Sequence, residues 1–180
     1  MWPRNRLEDR ASGARRRRGF LRGAARLVCA GALALLAGCQ GVPEDASRAQ
    51  RHAELRSMGF VETDDGWMLQ LAEPILFELD SDELRADVHR TIVRLAAELR
   101  RVGVRQIRIE GHTDSTGERE HNFELSLRRA ETVAQAFVDG GFPSGGIVRR
   151  GLGFDYPAAS NATGDGRALN RRVTIMVGTD

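Results

Sequence analysis

From about residue 66 onward, this 180-residue chain predicts an α+β domain with the element order β-α-β-α-β-β. Two stretches carry apolar residues at three- and four-residue steps, as amphipathic helices do. Shorter stretches in which apolar and polar residues alternate lie before, between and after them, as half-buried strands do. We therefore expect a sandwich in which two main helices pack on a mixed sheet of about four strands.

The first strand is expected at residues 67–71, where apolar and polar side chains alternate. Pro74 ends it, and residues 75–79 resume an extended course. The motif Asp80-Ser81-Asp82 offers N-cap side chains for a helix that continues to about Arg100. The apolar stripe of this helix comprises Leu84, Val88, Ile92, Leu95, Ala96 and Leu99.

The second strand is expected at residues 106–111, where Ile107 and Ile109 alternate with polar residues. A second helix is expected at residues 120–138, and the pair Gly140-Gly141 ends it. Its core stripe comprises Ala130, Val133, Ala134 and Phe137. The remaining elements are a loop at 161–166 and extended segments at 147–153 and 172–177.

Charge is segregated along the chain. The first 38 residues hold nine arginines and two acids, a balance of +7, whereas the remainder holds 18 arginines and 23 acids, a balance of −5. The basic segment is predicted to be removed, and the rest has no basic block paired with stacking aromatic residues. Nucleic acid is therefore excluded as a partner.

Residues 1–38 have the order of a secretory signal peptide. A dense arginine region at 15–26 precedes an apolar run at 27–38, which is shorter than the roughly 20 residues of a membrane-spanning helix. Leu36-Ala37-Gly38-Cys39 matches the bacterial lipobox, so we expect cleavage before Cys39 and lipid attachment to its sulfur. An ordinary signal peptide or a short membrane anchor is the alternative. Gln40 after the cysteine favours the outer membrane.

Residues 39–65 are expected to be the lipidated cysteine and a polar tether. The tether begins with glycine, proline and acidic residues, and it has a possible short helix at 49–58. Residues 62–66 predict a turn, which places the start of the domain near Gly66. The only cysteines are Cys29 and Cys39, so the folded part has no disulfide.

The candidate binding site lies in the sequence IEGHTDSTGEREHNFELSLRRAETV, from Ile109 to Val133. Asp114 follows a predicted strand, and Arg129 lies on the next helix. A fixed anion and a fixed cation that face one cleft suit a small zwitterion. Helical spacing places Asn122, Leu125, Ser126 and Arg129 on one face. The neighbouring Arg128 points about 100° away from that face.

Two alternatives involve His112, namely a metal site and a hydrolytic triad. Glu110, His112 and Asp114 alternate along a strand, but a metal site needs a third and fourth ligand at suitable spacing, which the sequence lacks. A hydrolytic triad with Ser115 or Ser126 would have to converge in space beside an oxyanion hole, and no nucleophile elbow is present. We therefore predict no metal, no cofactor and no enzymatic reaction.

Residues 66–180 contain a set of motifs in a fixed order. They are Phe77 with the acidic residues after it, Gly111-His112-Thr113-Asp114, Asn122, Leu125-Ser126, Arg129-Ala130, Gly151-Leu152-Gly153, Pro157, Asn161, Gly166-Arg167-Ala168 and Asn170-Arg171-Arg172-Val173. This ordered set resembles the OmpA-like domain family, which is the peptidoglycan-binding module of outer-membrane proteins, peptidoglycan-associated lipoproteins and flagellar-motor stators.

The resemblance implies that the ligand is the diaminopimelate side chain of the peptidoglycan stem peptide. Asp114 would pair with the ligand's ammonium, and Arg129 would bind its carboxylate with two parallel N–H bonds. It also implies that the backbone N–H of Thr113 contacts the ligand. Asn122 and Ser126 would form hydrogen bonds with the ligand, and Leu125 would pack against its methylene groups. Phe77 and Asp80 would form the other wall of the cleft.

Structural roles for these residues stay open as alternatives. The Asp114 side chain could cap the turn that follows it, as in an Asx-turn, and Arg129 could pair with Glu124 or Glu131. Arg171 and Arg172 belong to the family signature, and we expect them to order the end of the sheet.

Together these observations predict an outer-membrane lipoprotein whose periplasmic domain binds peptidoglycan non-covalently. The alternatives are a module that docks protein partners in an envelope, secretion or motility complex, and an enzyme that acts on peptidoglycan.

Overall fold

A computed structural model describes residues 44–77 and 81–178. The predictions for the signal peptide, Cys39 and Asp80 lie outside these residues. The described strands are β1 (Val61–Thr63), β2 (Gly66–Ala72), β3 (Ile107–His112), β4 (Ile147–Gly151) and β5 (Arg172–Val177). The helices are α1 (Glu44–Ser57), α2 (Glu73–Leu76), α3 (Ala86–Arg101), α4 (Arg119–Asp139) and α5 (Gly164–Asn170).

The strands form one mixed sheet in the order β1-β2-β5-β3-β4. β3 and β4 are parallel, and the other neighbouring pairs are antiparallel. The predicted α+β class is confirmed, and the sheet has five strands where about four were expected. The additional strand is β1, which pairs with β2 through a tight hairpin. Its three residues are too few to show a period of two in the sequence.

Helices α3 and α4 pack against each other, and α4 also packs on β3 and β4. Both predicted apolar stripes point into the core, because Ile92, Ala96 and Leu99 of α3 are buried with Val133 and Phe137 of α4. The alternating residues Ile107, Ile109, Val173 and Ile175 supply the sheet side of this core. Its other buried apolar residues are Leu55, Phe60, Trp67, Leu76, Phe77, Val104, Ala130, Ala134, Ala136, Phe142, Ile147 and Val177.

Gly111 fixes how closely α4 approaches the sheet. A Cβ atom at this position would lie 2.0 Å from the carbonyl oxygen of Ser126, which is closer than any real contact. Gly151 on the adjacent strand makes a similar close approach, at 2.6 Å from the backbone of Phe123 and Leu127. The two glycines therefore set the position of the α4 face that carries the candidate site, because a side chain at either would push the helix away.

The folded unit begins earlier than the predicted boundary at Gly66. The compact unit begins at Glu44, and α1 covers residues 49–57 of the possible helix at 49–58. Leu55 and Phe60 are buried in the core, and Glu54 forms an ion pair with Arg101 at the end of α3. Residues 44–65 are therefore part of the domain, because their apolar side chains complete its core. No helix in the described segments is long and apolar enough to span a membrane.

Three other elements differ from the prediction. The segment after Pro74 includes the short helix α2, whereas an extended course was expected, and α5 lies in the second half of the predicted loop and beyond it. α3 begins at Ala86, because Ser81 caps a turn instead of the helix. The Ser81 hydroxyl accepts a hydrogen bond from the Glu83 N–H at 2.9 Å, and Phe77 pairs with Leu84 in an isolated bridge.

Candidate functional site

Arg129 lies on the sheet-facing side of α4, and only 5% of its surface is exposed. Its guanidinium forms a close ion pair with Glu73 and donates to the carbonyl oxygen of Ser81 at 3.3 Å. The guanidinium carbon lies 5.1 Å from the centre of the Phe77 ring, a cation–π distance. The Nε atom of Arg129 is buried and has no hydrogen-bond partner among the described residues. The cation is thus held in place while its buried Nε–H stays without a partner among the described residues.

Asp114 follows β3 and is nearly as buried, with 8% of its surface exposed. Its Oδ2 accepts from Arg171 at 2.7 Å, and its Oδ1 accepts from the Thr116 N–H at 2.9 Å. Burial raises the pKa of Asp114, but the hydrogen bonds from Arg171 and Thr116 outweigh it and hold the pKa below its ordinary value of 3.8. Asp114 is therefore an anion at neutral pH, and it also caps the turn after the strand.

Glu73 and Arg171 connect Asp114 to Arg129. Glu73 pairs with Arg129 through one carboxylate oxygen, and its other oxygen lies 2.7 Å from Nε of Arg171. Arg171 in turn binds Asp114. The result is a chain of four alternating charges, Asp114–Arg171–Glu73–Arg129, which we call the charge chain. It contains two anions and two cations, and it brings together the two residues on which the sequence prediction depended.

The role of Glu73 was not predicted from the sequence. Glu73 comes directly after β2, and Arg171 comes directly before β5. These strands are antiparallel neighbours, with Ala72 opposite Arg172, and the Glu73 N–H donates to the Arg171 carbonyl oxygen at 3.0 Å. The order of strands in the sheet is therefore what places the two side chains together, and neither side chain carries a local sequence signal for it.

Phe77 lies under Arg129 and is itself 4% exposed. It therefore supports the cation from the core side and does not form an open wall of the cleft as predicted. The neighbouring segment at Ser81 contacts Arg129 through its backbone carbonyl oxygen. The predicted wall residue Asp80 lies just before this segment, outside the described residues.

Asn122 and Ser126 use their polar groups to hold the loops around the site. Asn122 donates to the carbonyl oxygens of Thr116 and Glu118, at 2.8 and 3.1 Å. Ser126 donates to the Phe123 carbonyl oxygen at 2.8 Å and accepts from the Gly153 N–H at 3.0 Å. Both side chains are buried. These bonds give both residues a structural role, and their contact with the ligand stays a prediction.

Thr113 has its backbone N–H committed to the fold. That group donates to the Gly153 carbonyl oxygen at 2.8 Å, so it is engaged with the protein and not with the cleft as predicted. The Thr113 hydroxyl is buried and unpartnered among the described residues. Leu125 is half-buried on α4. Arg128, in contrast, points to the surface and pairs with Asp82 at 2.9 Å and Glu124 at 3.9 Å.

Asn161 and Asn170 organise the loop between β4 and α5. The fully buried Asn170 accepts from the backbone N–H groups of Ala158 and Ala159 and donates to Asn161. Asn161 in turn accepts from the Ser115 N–H at 3.2 Å, beside Asp114. The motif asparagines therefore fix the loop that borders the anionic end of the charge chain.

His112 lies on the open face of the sheet, opposite Arg172 on β5. Burial, together with the nearby charge of Arg172, lowers its pKa to about 4. A cavity of about 440 Å³ on this face is also lined by Arg108, Glu110 and Arg150. Within the described residues, no three acidic, histidine or cysteine side chains are grouped closely enough to hold a metal.

A protein-family model described as the OmpA family matches residues 76–171. The outer-membrane lipoprotein YfiB of Pseudomonas aeruginosa is 41% identical over 143 residues, which cover 79% of this chain and 85% of the relative. The peptidoglycan-binding protein ArfA of Mycobacterium tuberculosis is 40% identical over 104 residues, which cover 58% of this chain and 32% of that protein.

Solved structures show the same fold. The cell wall anchor of the T6SS from Pseudomonas aeruginosa matches with a TM-score of 0.61 and 27% identity, over 73% of this chain and 96% of that one. The peptidoglycan-associated lipoprotein from Burkholderia pseudomallei matches with a TM-score of 0.51 and 28% identity, over 57% of this chain and 86% of that one.

Proposed function

Because the chain belongs to the OmpA family, we propose that it binds peptidoglycan non-covalently through the diaminopimelate end of the stem peptide. The observation that carries this proposal is the charge chain, in which the buried Asp114 and Arg129 stand at opposite ends. Diaminopimelate ends in an ammonium and a carboxylate on one carbon. Asp114 pairs with the ammonium, and Arg129 binds the carboxylate with charge-assisted hydrogen bonds.

The proposal includes an anchor at the other end of the chain. Lipid on Cys39 holds the protein in the outer membrane, with the folded unit in the periplasm, so that the molecule links membrane to wall. The YfiB relative is named as an outer-membrane lipoprotein, which supports this location. Lipid attachment supplies roughly 0.8 kcal/mol per buried methylene, so several acyl chains hold the protein firmly.

Co-sedimentation of the purified full-length chain in detergent with isolated sacculi tests the wall-binding proposal. We expect the wild type to sediment with sacculi, and Arg129→Gln and Asp114→Asn to lose at least about tenfold in affinity, the loss of about 1.4 kcal/mol. Arg128→Gln is the matched control, because the ion pairs of Arg128 with the described residues Asp82 and Glu124 lie at the surface. Retained binding by both site variants contradicts the proposal. Soluble fragments released from the sacculi would indicate an enzyme instead.

Docking of an envelope protein is a second candidate function, favoured by the arginine-lined cavity on the open face of the sheet. None of the four charge-chain residues lines this cavity. Loss of a protein partner after Arg108→Gln or Arg150→Gln, with wall binding unchanged, would support this function. Loss of the same partner after Arg129→Gln would instead assign docking to the wall-binding site.

A further inference from the structure

The charge chain contains an internal ion pair between Glu73 and Arg171. This pair binds Arg129 and Asp114, the two side chains that the proposed function assigns to the ligand. Glu73 and Arg171 are bound to each other at 2.7 Å. The free end of Glu73 pairs with Arg129, and the free end of Arg171 pairs with Asp114 at 2.7 Å. Glu73 thus presents a carboxylate to the cation of the site, while Arg171 presents a cation to its anion.

This arrangement has the same charge pattern as a bound amino acid, with the carboxylate on Arg129 and the ammonium on Asp114. We propose that Glu73 and Arg171 form a built-in stand-in for the zwitterionic ligand, and that the ligand binds by exchanging places with it. The inference rests on the proposed function and identifies Glu73 as the residue that makes the site selective for a zwitterion.

The exchange leaves every charge paired. The ligand's carboxylate binds Arg129 and its ammonium binds Asp114. The ion pair that already joins Glu73 to Arg171 is kept. The four side chains sum to zero charge, so a zwitterion adds none. A dicarboxylate without an amine adds negative charge beside Glu73, with no new cation to balance it. Uncompensated charge in a buried site is strongly unfavourable, and this penalty discriminates against such a ligand.

The burial of the four side chains fits the exchange. The two groups that receive the ligand are held firmly, with 6% of the Arg129 side chain and 11% of the Asp114 side chain exposed. The two stand-in groups are more accessible, at 18% for Glu73 and 34% for Arg171. The unpartnered Nε of Arg129 supplies a further donor for an incoming carboxylate. The stand-in can therefore move aside while the receiving pair stays in place.

Calorimetry with two probes tests this inference on the full-length chain in detergent. The probes are meso-diaminopimelate and pimelate, which has the same carbon skeleton and both carboxylates but no amines. We expect the wild type to prefer diaminopimelate strongly. In Glu73→Gln the site gains one unit of positive charge and Arg129 loses its competitor. We therefore expect pimelate to bind at least about tenfold more tightly, so that the preference falls.

Glu110→Gln is the matched control, because Glu110 is also a partly buried glutamate paired with two arginines, but on the open face of the sheet. We expect it to leave both affinities unchanged, and circular dichroism checks that both variants are folded. If Glu73→Gln weakens diaminopimelate and leaves pimelate unchanged, Glu73 only positions the arginines and the inference is overturned. If the wild type and Glu73→Gln bind neither probe, the proposed function is contradicted as well.

Discussion

At the scale of single residues, the site depends on the ionised state of Asp114. Its pKa lies below 3.8, because hydrogen bonds from Arg171 and Thr116 outweigh the effect of burial. Pairing with the ligand's ammonium requires the ionised carboxylate, so affinity is kept while the pH stays above the lowered pKa and is lost as the pH falls through it. We therefore expect diaminopimelate affinity to be level from pH 7 to about 4 and to fall below that.

The Arg171→Gln variant checks this account of Asp114. Without Arg171, Asp114 loses a hydrogen bond that lowers its pKa, while burial still raises it. The pKa of Asp114 should therefore rise, and the loss of affinity should begin at a higher pH. Calorimetry at a series of pH values measures the onset in both proteins. An identical onset in the variant would show that Arg171 does not control the ionisation of Asp114.

His112 gives a second prediction at the residue scale. Its pKa is about 4 in the folded state and 6.5 ordinarily, so the unfolded chain binds more protons between these values and stability falls as the pH drops through this window. Between pH 7 and pH 5 the wild type should lose about 2 kcal/mol relative to His112→Gln, from the difference in pKa. Urea unfolding at the two pH values measures this loss.

His121 provides the control for that measurement, because it is exposed on α4. His121→Gln should keep the pH dependence of the wild type. If His112→Gln keeps it too, then burial and the nearby charge of Arg172 do not produce the expected penalty for protonating His112.

At the scale of secondary-structure elements, α1 belongs to the folded unit. Leu55 is 1% exposed and packs in the core, so Leu55→Ala should lower the free energy of unfolding by about 2–5 kcal/mol, as large-to-small core substitutions do. Leu169→Ala is the matched control, since Leu169 on α5 is 55% exposed, and it should change stability by less than about 0.5 kcal/mol. Equal effects in urea unfolding would contradict the assignment of α1 to the core.

The elements also show what a sequence can predict. The stripes of α3 and α4 and the alternation in β3 are local patterns, so both helices and that strand were found near their true positions. β1 and α2 are too short for a period to show, and the start of α3 was wrong because Ser81 caps a turn. Glu73 could not be found, because its partner Arg171 reaches it only through the pairing of β2 with β5.

At the scale of the whole molecule, the sheet and α4 hold one binding site, and the N-terminal segment is proposed to hold the membrane. Gly111 and Gly151 bring α4 against β3 and β4, which sets Arg129 on one side of the charge chain and Asp114 on the other. Two attachments on one molecule raise the effective concentration of each, so modest affinity at the wall is sufficient. Selectivity for the ligand is therefore more important at this site than high affinity.

The most direct test of wall binding through Asp114 and Arg129 is a crystal structure of the protein with meso-diaminopimelate. We predict one ligand carboxylate on Arg129, the ammonium on the same carbon within hydrogen-bond distance of Asp114, and Glu73 displaced from Arg129 while still paired with Arg171. A ligand bound elsewhere, such as in the arginine-lined cavity on the open face, with the charge chain undisturbed, would contradict the account.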